Sequence, residues 1–462
     1  MDRNRVKDQH MDVSLRNASG VVKASVPIAL SYSSTILYES IDLLYLSSYS
    51  NEAFAALFPS FVVWFNVLMI FVGAVKYVRI LMSGEIGRGT PEHVGQLLWL
   101  GFLVALIAAV PFTLMSIFSS EIFSAIGHAE EIRRLEEEYF EVMCYAAFFQ
   151  VCRVAFESVY MAAAKQRTVL VVEGASILVH ICLAPLLIFG VGFFPELGIQ
   201  GCAYATLVAS VFGFIVYCVI SSRDPELARF KLFAPLRFDA TRFRRLVREG
   251  TPAGVERALE ELTWTVLLLI VGQFGVFALA LSNVAINVLE LAFFPMLALG
   301  EVLSVEVARR VAAGHSHEIR PLMRSVLQWV LLYAGIWIVA LTLLSGGITA
   351  LYFSDLDVTH IKDVDRLYTT YFAILCLSIL FGSLYFIYNS ALAGFHDTSF
   401  PMAAMLASSV VVFAVPTYVA LLVQRVDFLW GWTFFLINFG VLSWINRARY
   451  RSVHSRLLLS AS

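Results

Sequence analysis

Charged side chains are scarce in this sequence. Asp, Glu, Lys and Arg make up 15% of its 462 residues, where soluble domains carry roughly a quarter. Apolar residues make up 59%, and mean hydropathy is +0.77. Little of such a chain can face water. That excludes a string of soluble domains, and with it a disordered, collagen-like or nucleic-acid-binding protein. The net charge of −2 supplies no global field for an ionic partner. Cysteine is sparse too: Cys144, Cys152, Cys182, Cys202, Cys218 and Cys376 all lie in apolar stretches and form no C-x-x-C pair. They read as small packing residues, so neither a disulfide framework nor a metal site is expected. Residues 1–20 are polar and have no apolar core, which excludes a cleavable signal peptide. There is no Walker A loop, H-E-x-x-H, G-x-S-x-G or D-D-x-x-D. An ATP-driven pump and an enzyme are therefore not expected, and no cofactor is called for. Any uphill work must draw on a proton or sodium gradient.

Long apolar runs are what the chain has in abundance. A bilayer-spanning helix needs about 20 apolar residues, and twelve segments qualify: about 21–48, 54–82, 94–118, 138–164, 168–190, 198–221, 246–273, 276–307, 322–353, 367–394, 399–423 and 428–446. Placing the N-terminus inside puts nearly every Lys and Arg on the inner side. The exceptions are Arg133, Arg134, Lys362, Arg366 and Arg425 outside, with Arg153 and Arg257 within spans. That bias is what the positive-inside rule requires. The expectation is a multi-pass protein of the plasma (inner) membrane with both termini cytoplasmic, working as a monomer. Its partners are the lipid bilayer and small solutes, with no nucleic acid.

The chain divides into six spans plus six. Residues 1–20 form a cytoplasmic tail, 21–221 an N-lobe, 222–245 a basic cytoplasmic linker, 246–446 a C-lobe and 447–462 a second tail. Pro225 and Pro235 discourage a continuous helix through the linker. Lys23-Ala-Ser-Val-Pro27 opens the first span and Arg248-Glu-Gly-Thr-Pro252 opens the seventh. Six spans per half keep the halves in one orientation, which implies a parallel repeat about an axis along the membrane normal. The fold class is thus all-α integral membrane: twelve transmembrane helices in two six-helix lobes with pseudo-twofold symmetry about the membrane normal.

A charge at the bilayer centre costs roughly 2.5–3.5 kcal/mol on insertion scales, so each one needs a partner or a task. Glu39 and Asp42 lie three apart on one face of the first span, a candidate proton or cation site. In the seventh span Glu256 and Glu260 are one turn apart, while Arg257 and Glu261 stand at pairing distance on the neighbouring face and would neutralise each other. That leaves Glu260 and Glu256 as the surplus acids. Arg153 and Glu157 in the fourth span read as a structural or gate-forming ion pair by the same i, i+4 spacing. His180 lies near the middle of the fifth span, where it is either a packed ring or a functional group. Asn283, Asn287 and Glu290 of the eighth span, with Tyr38 and Tyr385, are candidates for lining a substrate cavity, the rings suiting a flat cation.

Several stretches resemble the MATE (multidrug and toxic compound extrusion) transporters, in the superfamily that also holds polysaccharide and lipid-linked precursor flippases. The likeness covers roughly residues 20–450. It is carried by Ser25-Val-Pro-Ile-Ala-Leu30 with Tyr38-Glu-Ser-Ile-Asp42, by Ile126-Gly-His128, by Pro185-Leu-Leu-Ile-Phe-Gly190 with Pro195-Glu-Leu-Gly-Ile-Gln-Gly201, by Gly250-Thr-Pro-Ala-Gly254 through Glu260, and by Ala391-Leu-Ala-Gly-Phe-His-Asp-Thr398. The resemblance implies export of organic cations and other amphipathic compounds in exchange for protons or sodium ions. It puts Asp42 on the N-lobe coupling aspartate, Glu260 on the C-lobe coupling glutamate and Thr206 on a hydroxyl beside the N-lobe site. The chain departs from the pattern in the fifth helix, with His180 and Ala184 in place of Asn and Asp. It departs again at Gly382, where sodium-coupled members carry an acid, and at Ser282-Asn283 in the eighth helix. Each lobe so keeps one acid and lacks its partner, which favours proton over sodium coupling because a sodium cage wants several oxygens. The second reading is a flippase for a lipid-linked or polysaccharide precursor, which wants a basic cavity. A third, from another class, is a membrane-embedded enzyme or receptor.

Overall fold

The computed structural model describes residues 18–235, 238–353 and 364–461, except for the side chains of 33–39, 350–353, 364 and 460–461. Among the described residues no strand occurs and twelve long helices follow one another. They are α1 (Ala18–Tyr49), α2 (Asn51–Lys76, resuming after an irregular Tyr77 as Val78–Gly87), α3 (Val94–Ile117), α4 (Glu130–Ala162), α5 (Gln166–Ile188), α6 (Ile199–Arg223), α7 (Ala240–Val271), α8 (Val276–Ala312), α9 (Ile319–Phe353), α10 (Val364–Gly394), α11 (Ser399–Val423) and α12 (Leu429–Ala461). A backbone in lipid must satisfy its own polar groups, and the helix does so within one segment. Nine of these helices are long and apolar enough to cross a membrane by length and composition. The other three, α1, α7 and α12, are equally long, and α7 carries the charged run Glu256, Arg257, Glu260 and Glu261.

Some helix ends depart from the expected spans, for identifiable reasons. The fourth helix begins at Glu130 rather than 138, because Arg133 pairs with Glu130 and Glu137, and Arg134 with Glu138, at i, i+3 and i, i+4 spacing. Pro416 withholds a backbone donor from α11, and π-helical turns flank it at Ser409–Ala414 and Val419–Val423. Asp239 caps α7, its Oδ1 accepting from the Thr241 and Arg242 amides at 2.9 and 3.2 Å.

Packing divides the chain into two compact units. One is Leu30–Ala258; the other is Leu259–Ser462 with the described residues before Leu30. In the first, α4 packs against α2, α3 and α6, and α5 against α6. In the second, α10 packs against α8, α9 and α12, and α11 against α12. Adding six to each helix number converts one set of neighbours into the other, so the repeat suggested by the opening prolines recurs in the packing.

The unit boundary differs from the lobe boundaries expected at 222–245, because the first half of α7 packs on α2. A Cβ placed on Gly254 would fall 1.9 Å from the Ile70 carbonyl oxygen, and one on Gly73 would fall 2.6 Å from the Gly254 Cα. The two backbones touch there, and only glycine permits it. Tyr77 reinforces the contact by donating its hydroxyl to Glu249 Oε2 at 2.7 Å.

Candidate ion-coupling site

Three helices of the first unit bring polar side chains to one buried point. Asp42 comes from α1, His180 from α5, and Cys202 and Thr206 from α6, where they lie one turn apart. The close approach of α5 and α6 depends on Gly201, whose missing side chain leaves room for the Leu187 carbonyl carbon 2.6 Å from where a Cβ would sit. His180 is 0% exposed, Asp42 4%, Cys202 0% and Thr206 5%. The His180 Nε2 stands 2.7 Å from Asp42 Oδ1. On the other side of the ring, Thr206 Oγ1 is 3.5 Å from Nδ1 and also donates to the Cys202 carbonyl at 3.3 Å. Ala184, one turn past His180, is fully buried and offers no side-chain oxygen.

Burying a lone carboxylate is costly unless it is paired and hydrogen-bonded, and the imidazole supplies that partner. The pair can hold one proton as carboxylate and imidazolium, or as carboxylic acid and neutral ring. Loss of the proton leaves one net negative charge in a low-dielectric setting. The Thr206 hydroxyl at Nδ1 orients the ring so that Nε2 faces Asp42.

The other residues singled out by sequence are placed as follows. Glu256 and Glu260 are each 6% exposed, and Arg257 and Glu261 are half-buried, all on α7. Thr263, beside Glu260 in sequence, meets Ser409 of α11 at 3.2 Å between hydroxyls. Glu39 and Tyr38 belong to α1, but their side chains lie outside the described residues. Asn283 and Asn287 are exposed on α8, with the Asn287 amide donating to the Asn283 carbonyl at 2.8 Å, and Glu290 is half-buried. Tyr385 is 1% exposed, its ring 5.1 Å from Phe386 and 5.7 Å from Phe439. It packs in an aromatic cluster with both rings.

The expected pair Arg153–Glu157 is not formed. Arg153 reaches across to Glu173 of α5, which also accepts from the Tyr217 hydroxyl at 3.2 Å, and Glu157 stands 3.9 Å from Arg79 of α2. Spacing along α4 permitted the local pair; the neighbouring helices offered other partners. Glu306 of α8 is 6% exposed and paired with Arg310 at 2.9 Å and Arg309 at 3.6 Å. Cys202 was passed over as a packing residue. Its one-turn offset from Thr206 was the available signal, because two residues so spaced share a helix face.

A family model, MatE, matches residues 27–186 and 252–419, well over half the chain. Among curated proteins, the probable multidrug resistance protein YoeA of Bacillus subtilis (strain 168) is 25% identical over 316 residues, 67% of this chain and 68% of that protein. The multidrug resistance protein NorM of Burkholderia vietnamiensis is 24% identical over 397 residues, 84% of each. Coverage of some others is smaller: the match spans 59% of the probable NorM of Rhizobium meliloti (strain 1021). Among solved structures, a MATE crystal structure in the straight conformation aligns with a TM-score of 0.84 at 15% identity, covering 95% of this chain and 96% of that one. The eukaryotic MATE transporter AtDTX14 aligns with a TM-score of 0.81 at 14% identity, covering 98% and 100%. These two likenesses carry the fold, and the family match carries the kinship. The chain belongs to the MATE family of multi-pass membrane transporters.

Proposed function

We propose that this transporter exports small organic compounds, cationic or amphipathic, across the plasma (inner) membrane in antiport with protons, by alternating access. The observation that carries the choice of ion is the buried contact of His180 Nε2 with Asp42 Oδ1 at 2.7 Å, beside an Ala184 that supplies no side-chain oxygen. A proton needs one carboxylate and one base, whereas a hard metal cation needs a cage of oxygens. Deprotonating the pair leaves a net negative charge that a passing organic cation neutralises. Reprotonation removes that attraction, which is the exchange antiport requires. Glu260, with Glu256 one turn away, is the second acid in this reading.

The test is uptake of a fluorescent organic cation into inverted vesicles under an imposed proton gradient or an imposed sodium gradient of equal size. Accumulation driven by the proton gradient alone is the expected result. Accumulation that follows the sodium gradient, or none under either, would remove proton antiport.

A further inference from the structure

We propose that Asp42, His180 and Cys202 form a binding site for one thiophilic divalent cation of the Zn2+ or Cd2+ class. One donor atom from each, a carboxylate oxygen, an imidazole nitrogen and a thiol sulfur, lie within 4.8 Å of one another, and all three residues are buried. This oxygen, nitrogen and sulfur set suits a borderline-soft ion, and sulfur selects against sodium, calcium and magnesium. Three protein ligands with a fourth position left for water or solute is the arrangement of an open zinc site. The Thr206 hydroxyl stands 3.5 Å from His180 Nδ1, where ligating histidines find a partner that fixes the ring.

The stoichiometry of charge supports the assignment. Nitrogen and oxygen ligands held about 2.0–2.2 Å from one ion stand roughly 3.3–3.5 Å apart, so the Asp42–His180 contact of 2.7 Å opens by about 0.6–0.8 Å and the proton between them leaves to water. The Cys202 thiol gives up its proton as well. The carboxylate and thiolate then balance the dication, and the occupied site is neutral, which is what a site inside a membrane helix bundle requires. Sequence spacing sets Cys202 on the face of α6 that carries Thr206 but does not join it to Asp42 and His180, because each ligand comes from a different helix. The inference concerns a ligand other than the proton or the exported solute and stands apart from the direction or coupling of transport.

The experiment titrates the purified full-length chain in detergent with Co2+, whose thiolate charge-transfer absorption reports sulfur ligation, and then displaces it with Zn2+. The expected result is one equivalent bound with the thiolate band. Cys202→Ser should abolish the band, and His180→Asn should weaken Zn2+ binding at least about tenfold. A chain in which the other five cysteines are alanine must keep the band, which guards against a Cys202→Ser protein that fails to fold. No band in the unaltered chain, or a band that survives Cys202→Ser, would overturn the site. Binding is read without transport, so metal uptake in a chain that shows no proton-driven export would leave this site standing and defeat only the coupling proposal.

Discussion

His180 is the residue on which the proposed proton coupling turns. His180→Asn keeps a polar group against Asp42 but removes the base. Proton-driven export in vesicles should then fall sharply, and export equal to that of the unaltered protein would reduce His180 to packing. Glu260→Gln preserves shape and hydrogen bonding at a position 6% exposed. It should leave the purified protein folded, as judged by its thermal transition, while abolishing gradient-driven export. Gly382 admits no side chain as the helices are packed: a Cβ there would fall 2.5 Å from Phe293 Cζ. That ring sits in a cluster with Phe386 at 5.2 Å and Phe439 at 5.6 Å.

Between helices, the predictions concern close approach and charge. Gly254→Ala inserts a methyl group against the Ile70 carbonyl and must push α7 off α2. Overpacking of this kind costs roughly 1–3 kcal/mol, read as a lowered melting temperature in detergent. Arg153 and Glu173 join α4 to α5, with side chains 14% and 22% exposed. Glu173→Ala leaves the guanidinium without its carboxylate and should cost roughly 1–3 kcal/mol, below the 3–5 kcal/mol of a fully buried pair. A double-mutant cycle should find Arg153 coupled to Glu173 and not to Glu157. On α12, beyond the span at 428–446, His454 is buried beside the Tyr450 and Phe395 rings, 5.8 and 6.2 Å from them. Burial, then the Arg320 charge, holds its protonation below the ordinary histidine range. The unfolded chain therefore binds a proton that the folded one does not, and stability falls as pH drops through that ordinary range. His454→Gln should lessen this acid sensitivity, measured as the pH dependence of the melting temperature.

For the molecule as a whole, orientation is the property to test. From the charge bias we propose that the N-terminus, the segment between α6 and α7 and the C-terminus lie in the cytoplasm. A cysteine at Ser50, in the turn between α1 and α2, should react with an impermeant maleimide in intact cells. A cysteine at the exposed Thr241 should react only after the membrane is opened. Labelling of Thr241 in intact cells would reverse the orientation.

What the sequence determined alone is what depends on one dimension. Apolar run length set the number and order of the helices, because the bilayer fixes how much chain each crossing needs. The order of motifs set the family, and the scarcity of buried charge pointed to Asp42, His180 and Glu260. What only the tertiary structure decided is everything that depends on which helix lies beside which. Helical periodicity could offer Arg153 the local partner Glu157 but could not see Glu173 on the next helix. It could make Tyr385 a cavity candidate but could not see Phe386 and Phe439 closing over it. It could set Cys202 and Thr206 on one face of α6 but could not show that this face meets Asp42 and His180. Hydrophobicity selects the membrane, a medium common to all twelve helices; ion pairs, ring clusters and ligand sets form between particular side chains a few ångströms apart, and that proximity exists only after the helices pack.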